Sequence, residues 1–337
     1  MTPQAHRPDV SVVVTARNEA RRLPELLAAL AAQTLDDSRF EVVVVDDAST
    51  DDTAAVARRG GARVIGALSH RGLAAGRNLG IAAARAQIVA LTDADCIPAP
   101  DWLELGVASF RRRRADILAG GIHVDTGRRP TVAALVDAAI HLDQARYVAR
   151  GFGAGANLWL RRDLVLEQGG FDERIGTYGE EEELCQRAVA AGASLDYDPD
   201  VRVVHPARSS LRSLAAKGYG LGRGLAVHRR INRGTLGSYP RLYRSPRYYV
   251  PRRRMPGLER LDAPVGRFRE LQMIVVLHTF VTVPKVAGDV VGEATAWLRA
   301  RRRSPAAPVD RRDSRAQQTA PPRRRGRRTR AGTAADR

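Results

Sequence analysis

The stretches that decide the fold are 10-VSVVVT-15, 40-FEVVVVDDAST-50 and 87-QIVALTDAD-95. Each is a short run of β-branched and apolar residues that opens onto polar residues at its C-terminal end, the pattern of a strand buried on both faces. The segments between them are amphipathic. Arg22–Gln33 carries Leu23, Leu26, Leu27 and Leu30 at helical spacing, with Pro24 suited to a first turn. Asp51–Arg59 predicts a short helix, Ala62–Ile65 a further strand, and Leu73–Ala86 an Ala-rich helix. Alternation of strand and helix predicts a mostly parallel α/β sheet with helices on both faces. Ligands in such sheets bind beyond the carboxyl ends of the strands, and the polar clusters fall there.

Further along, Trp102–Arg114 reads as a helix and the pattern loosens through Ile117–Asn157. Leu158–Leu160 and Val201–His205 read as strands, and Gly179–Ala191 as a helix with Leu184, Ala188 and Val189 inward. After Pro206 the alternation stops. Leu211–Ile231 predicts a Gly-interrupted helix, and Arg241–Arg254 a basic loop with Tyr243, Tyr248 and Tyr249. Phe268–Val283 is strongly apolar, but its run LQMIVVLHTFVTV has thirteen residues, against ~20 for a bilayer span. His278 and Pro284 also argue against a span. The run is read either as a core helix or, with Arg241–Arg254 beside it, as a peripheral contact with an anionic membrane surface. From Pro305 the composition is Pro, Arg and Ala, which predicts disorder. The expected organisation is an α/β domain over 1–206, a mostly helical extension over 207–303, and a disordered basic tail over 304–337.

The 337 residues are 44% hydrophobic, which excludes disorder of the whole chain. Two cysteines, Cys96 and Cys185, exclude a disulfide scaffold and a four-cysteine zinc module, and both read as buried fillers. No charged-then-apolar leader opens the sequence, so a reducing cytoplasm is expected. The formal charge is +18, but fourteen arginines and three aspartates after Leu298 place +11 of it in the tail. Only Lys217 and Lys285 are lysines. With no base-reading motif present, nucleic acid is not the expected partner.

Three clusters could carry chemistry. Asp93-Ala94-Asp95 ends a buried strand, where two carboxylates at i and i+2 can face one hard cation and leave room for phosphate oxygens. Read alone, the same residues are a solvated acidic turn. Asp46 and Asp47, leaving the adjacent strand, could accept from a nucleobase N–H or a ribose hydroxyl; Ser49 or Thr50 could cap the helix that follows. Thr15-Ala16-Arg17-Asn18-Glu19 is either a plain strand-to-helix turn or a loop packed on a nucleoside.

Together, VSVVVTARNEARRLPELLAAL, VVVVDDASTDDT and RGLAAGRNLGIAAARAQIVALTDADC resemble, in order and spacing, the family 2 glycosyltransferases of GT-A fold (the nucleotide-diphospho-sugar transferase fold). GAGANLWLRRDLVLEQGGFDER (153–174) and GEEEELCQR (179–187) extend the resemblance, which covers about Val10–Pro206. It implies that Thr15, Ala16 and Glu19 border the nucleoside, with Asp46 or Asp47 reading base and ribose. Arg77 would approach base or diphosphate, or else is a charge on a helix surface. Asp93 would serve nucleotide and metal, and Asp95 would be the likelier direct ligand of Mn2+ or Mg2+. His205 would complete the metal site or touch the diphosphate; otherwise it is a capped, half-buried strand-end histidine. Gly155, Ala156 and Asn157 would line the donor-sugar and acceptor side. The family's Gly-Glu-Asp-x-Asp/Glu-Leu appears here as Gly179-Glu180-Glu181-Glu182-Glu183-Leu184. The matching base is Glu181, with Glu180 or Glu182 as fallbacks, although four acids also suit a helix N-terminus.

The resemblance implies an inverting, metal-assisted transferase. It would move a sugar from a UDP-, GDP- or dTDP-sugar to a hydroxyl of a glycan or lipid-linked acceptor in cell-envelope or glycan synthesis. Its place would be the cytoplasm or the inner face of the plasma membrane. A sugar-phosphate nucleotidyltransferase on a similar fold is disfavoured by the glycine-free Ala16–Ala20. A catalytically idle scaffold is the other alternative.

Overall fold

In a computed structural model describing residues 7–175, 178–232 and 241–303, eight strands form one mixed sheet in the order β3-β2-β1-β4-β7-β6-β8-β5. The expected disordered tail at 304–337 lies outside the described residues. β1 (Val10–Ala16), α1 (Leu23–Ala31), β2 (Phe40–Asp46), α2 (Thr53–Arg59), β3 (Arg63–Gly66), α3 (Leu73–Ala83) and β4 (Ile88–Leu91) make the parallel half. β1 lies between β2 and β4, so its side chains are buried on both faces. Val12 and Val14 pack with Leu23, Leu26 and Trp102, while Val13 packs with Ile81 and Leu184.

The strand order reverses at β1 and β4, which opens a crevice at their carboxyl ends. Thr15-Ala16 and Thr92–Asp95 lie at those ends.

β5 (Ile97–Pro98) and α4 (Trp102–Arg113) come next, followed by β6 (Ile117–Asp125), α5 (Val132–Ile140) and α6 (Gln144–Val148). The loosened stretch Ile117–Asn157 is therefore one strand and two helices; its strand ILAGGIHVD is interrupted by Gly120 and Gly121, where the register with its neighbour shifts. β7 (Leu158–Arg161) runs antiparallel to both β4 and β6, so the sheet is mixed. After α7 (Arg162–Glu167) and α8 (Glu180–Ala190), β8 (Leu195–Pro206) is longer than the expected Val201–His205 and pairs parallel to β6. β5 pairs with its far end, Ile97 opposite Val204 and Pro98 opposite Val203. The residues just after the acidic pair are thus bonded to those just before His205.

α9 (Leu211–Ile231), α10 (Arg267–Leu277) and α11 (Val283–Arg303) follow, and the compact unit containing the sheet runs to Trp297. α5, α9, α10 and the turn after α10 share a core of Val136, Leu214, Met273, Ile274, Leu277 and Val281. The thirteen-residue limit expected for the apolar run does not hold. His278–Thr282 form a π-helical turn joining α10 to α11, and Pro284 is the second residue of α11. The wider turn sits where proline removes an N–H from the helical ladder. Arg267–Thr295 is by length and composition able to cross a membrane, with 28% of its most apolar window buried.

Candidate active site

A cavity of about 1250 Å³ lies over the carboxyl ends of β1 and β4, between the sheet and the C-terminal helices. Thr15, Ala16, Glu19, Asp47, Arg77, Asp93, Asp95, Gly155, Ala156, Glu180, Glu181 and His205 line it. Asp46 and Asn157 do not. Asp46 accepts from the Ser49 N–H at 3.1 Å. Asn157 is fully buried and uses all four of its hydrogen-bonding positions. Its Oδ1 accepts from the indoles of Trp102 (3.0 Å) and Trp159 (3.1 Å), and its Nδ2 donates to the carbonyls of Gly121 (2.9 Å) and Val201 (2.7 Å). The expectation that it faces donor or acceptor is corrected: its amide cross-braces β6, β7, β8 and α4.

Asp47 is buried, and its carboxylate holds the 70–72 loop. Oδ1 accepts from the Arg71 N–H (2.9 Å) and Oδ2 from the Gly72 N–H (3.0 Å), with His70 Nδ1 at 2.7 Å. Ser49 and Thr50 are not helix caps. Ser49 Oγ accepts from the Asn18 N–H at 3.0 Å, and Asp51 accepts from the Thr53 N–H at 3.0 Å. The Glu19 N–H donates to Thr53 Oγ1 (2.8 Å) and the Ala20 N–H to Asp51 Oδ2 (3.2 Å), tying the Asn18–Ala20 loop to the start of α2. Thr15 Oγ1 is buried with no hydrogen-bond partner, and burial pushes the Glu19 carboxyl up.

Asp93, Asp95 and His205 converge although they come from opposite ends of the fold. His205 Nε2 lies 3.8 Å from Asp93 Oδ2 and 3.6 Å from Asp95 Oδ1. His205 is buried, and its Nδ1 is 2.8 Å from the Pro206 carbonyl, which can only accept. Nδ1 therefore carries a proton, and Nε2 is the ring atom turned toward the two carboxylates. Three acceptors aimed at one point fit a hard divalent cation that keeps open positions for water and phosphate. Cys96 lies within the same cluster, but burial and the two aspartates push its thiol well up, and it points at the Ala156 carbonyl, 3.9 Å away. It does not fit as a ligand of such an ion.

Arg77 is buried, not on a helix surface. Its Nη1 is 3.0 Å from Glu180 Oε1 and 3.1 Å from Glu181 Oε1, and its Nη2 is 3.7 Å from Asp93 Oδ1. The guanidinium also lies 5.6 Å from the Phe171 ring centroid. A Cβ on Gly155 would come within 2.1 Å of Arg77 Nη2, so the room that glycine leaves is taken by this side chain and not by a ligand.

The four glutamates of α8 separate by environment. Glu183 is paired with Arg187 one turn on (2.8 Å), and Glu182 with Arg150 (3.0 Å). Glu180 is fully buried, and desolvation with the neighbouring Glu181 charge pushes its carboxyl up to about 8 against the pull of Arg77. Glu181 keeps 18% of its side-chain surface, faces the cavity, and accepts from the Gly155 N–H at 3.1 Å.

Sequence reasoning missed the far wall. Asp137, fully buried in α5, lies 3.6 Å from Lys217 Nζ and 3.5 Å from Arg208 Nη1, and 2.6 Å from His141 Nδ1. Lys217, Arg208, His141 and Lys285 all line the cavity. Composition held one signal: the only two lysines in the sequence are both there.

The profile described as "Glycosyl transferase family 2" matches residues 11–167. Glycosyltransferase AglE of Haloferax volcanii is 31% identical over 223 residues, 64% of this chain and 73% of that protein. The chain belongs to glycosyl transferase family 2. It is a nucleotide-sugar glycosyltransferase by that membership. The pre-mycofactocin glycosyltransferase of Mycobacterium tuberculosis is also 31% identical over 223 residues, but the chain spans only 46% of its length. Among solved structures, the mannosyltransferase PcManGT of Pyrobaculum calidifontis, in complex with GDP-Man and Mn2+, superposes with a TM-score of 0.52 at 20% identity, over 87% of this chain and 76% of that one. That likeness establishes the GT-A fold.

Proposed function

We propose that this family 2 enzyme is an inverting glycosyltransferase in which Glu181 is the general base. The observation that carries the reading is the position of Glu181: alone among the four glutamates, it is held at the cavity by a backbone N–H and Arg77 without a partner that encloses it. An acceptor hydroxyl gives its proton to this carboxylate as its oxygen bonds to the anomeric carbon. The bond from that carbon to the diphosphate breaks on the opposite face, and its electron pair leaves with the diphosphate. Asp93, Asp95 and His205 would hold Mn2+ or Mg2+, which supplies charge to offset that developing on the leaving group. Thr15, Ala16, Glu19 and Asp47 border the nucleoside side, where the unpartnered Thr15 hydroxyl supports a ligand contact. The similarity to a structure holding GDP-Man and Mn2+ supports a nucleoside diphosphate sugar as donor.

The acceptor is proposed to be a glycan or lipid-linked hydroxyl reached at a membrane surface. Phe268 (75% exposed), Leu271 (60%) and Val275 (61%) form an outward stripe on α10 beside an apolar groove, and the exposed Arg128, Arg129, Arg212 and Arg267 belong to the adjoining segments. This combination suits the headgroup zone of an anionic membrane. The site is tested with Glu181→Gln, which keeps shape and removes the proton-accepting charge. Transfer turnover should fall at least a hundredfold while nucleoside diphosphate binding, read by thermal shift, stays within about threefold. Near-normal turnover in Glu181→Gln, with the loss appearing in Glu180→Gln instead, would refute the assignment.

A further inference from the structure

The turn that leads into α8 is strained, and a bulky residue carries the strain. Tyr178 has a φ of 74° and Gly179 one of 103°, so two successive residues occupy the left-handed region just before Glu180. Glycine adopts that region freely. A tyrosine there crowds its Cβ against the following carbonyl, and the conformation persists only where the surroundings hold it. Glu181 lies three positions on, as the second residue of α8.

What holds Tyr178 is α9 and the segment before it. A Cβ on Gly220 would come within 2.6 Å of both Cδ2 and Cε2 of the Tyr178 ring, so the ring fills the space a side chain at 220 would take. Its hydroxyl lies against the Arg208 guanidinium. Arg208 is fixed in turn by the buried Asp137, which accepts its N–H at 2.9 Å and lies 3.5 Å from its Nη1. Behind the ring, α9 cannot yield. Gly218 and Gly222, one turn apart, share the helix face opposite Gly220. A Cβ on Gly218 would lie 2.6 Å from the Val281 carbonyl oxygen, and one on Gly222 would overlap that of Lys285. From the other side, a Cβ on Gly288 would overlap the Tyr219 carbonyl oxygen. Backbone thus rests on backbone behind α9, which makes the helix a rigid stop for the ring in front of it.

Resting on Glu181 as the base, we propose that Tyr178 is its positioning residue: the ring, wedged between α9 and the start of α8, fixes the backbone that carries Glu181. Arg77 and the Gly155 N–H then fix the carboxylate itself. Gly220→Ala tests this from outside the cavity, because Tyr178 lines the cavity and Gly220 does not. To reach an ordinary contact of 3.4 Å the ring must retreat by roughly 0.8 Å. Turnover should fall about ten- to a hundredfold, while thermal stabilisation by uridine or guanosine diphosphate should match wild type. Tyr178→Ala should lose as much, whereas Tyr178→Phe keeps the wedge and should stay within about fivefold of wild type. The deciding measurement is a cycle with Glu181→Gln. In that background Gly220→Ala should cost less than about twofold, since the group it misplaces is already gone. Tyr178→Ala closes the same cycle if Gly220→Ala folds poorly. A loss of equal size in both backgrounds would show the ring acting on substrate or on the fold at large, and would overturn the proposal. Wild-type turnover in Gly220→Ala and Tyr178→Ala would overturn it too. Normal turnover in Glu181→Gln alone would remove the base assignment and this inference with it, a result read from the single variant before the cycle is closed.

Discussion

Replacing Gly155 by alanine tests whether the catalytic floor depends on Arg77. The new methyl carbon would sit 2.1 Å from Nη2, 2.5 Å from Cζ and 2.9 Å from Nη1. To reach an ordinary contact of 3.4 Å the guanidinium must retreat by roughly 1.3 Å. It is held by Glu180 at 3.0 Å and Glu181 at 3.1 Å on one side, and Asp93 lies 3.7 Å away. A movement of that size breaks at least one charge-assisted hydrogen bond, worth ~1.5–3 kcal/mol. It also lets the Glu181 carboxylate follow its partner. Misplacement of a catalytic group by about 1 Å costs ~100-fold in rate. Gly155→Ala should therefore lower turnover about a hundredfold, measured as nucleoside diphosphate release from a turned-over donor. A Cβ on Gly66 meets nothing within 4 Å, so Gly66→Ala is the control and should behave as wild type. Turnover of Gly155→Ala within twofold of wild type would refute the claim that Arg77 fixes the base.

Asn157→Leu should strand two indole N–H groups and two carbonyls in the core; at ~1–3 kcal/mol each the loss is at least about 4 kcal/mol, and a melting temperature unchanged within ~2 °C would contradict the bracing role. Glu180, with its carboxyl pushed up from 4.5 to about 8, keeps a proton in the folded state that the unfolded chain releases. Its contribution is full below about 4.5 and is lost as pH rises through 8, so Glu180→Gln should gain stability relative to wild type across that window; a pH-independent difference between the two melting curves would exclude it. Phe268→Ser combined with Leu271→Ser should cost little stability, since both side chains are exposed, and should weaken binding to phosphatidylglycerol vesicles tenfold or more. Equal vesicle binding would remove α10 from the membrane contact.

The parallel half of the sheet was legible because β1, β2 and β4 are continuous β-branched runs, each followed by a helical repeat. β6 was not, because Gly120 and Gly121 interrupt its apolar pattern; those glycines are required where Asn157 and the carbonyls of Val201 and Pro199 press against the strand. The reach of α10 into α11 was hidden by Pro284, which reads as a stop unless the preceding turn is π-helical. At the site, Asp93, Asp95, His205 and Glu181 could be placed by motif, since each sits at the end of a regular element. Motif could not separate Asn157 from Gly155: neighbours in sequence, one is a structural brace and the other a void filled by Arg77. Nor could it bring Lys217 of α9 and Lys285 of α11 to the cavity, since both lie beyond the stretch in which the sequence carries motifs.

The pairing of β5 with the end of β8 also governs when Asp93, Asp95 and His205 can meet. Asp95 and His205 are roughly 110 residues apart in sequence, so their meeting is a high-contact-order event. It requires β7 and β6 to have been laid between β4 and β8. A nascent chain that has completed only the β1–β4 half holds the acidic pair and the loop at Thr15–Glu19 without His205, Gly155 or Glu181. With the roles proposed above, such an intermediate would have a partial nucleotide pocket and no means of transfer until the last long strand closes the sheet. Refolding should then regain nucleoside diphosphate binding no later than it regains turnover.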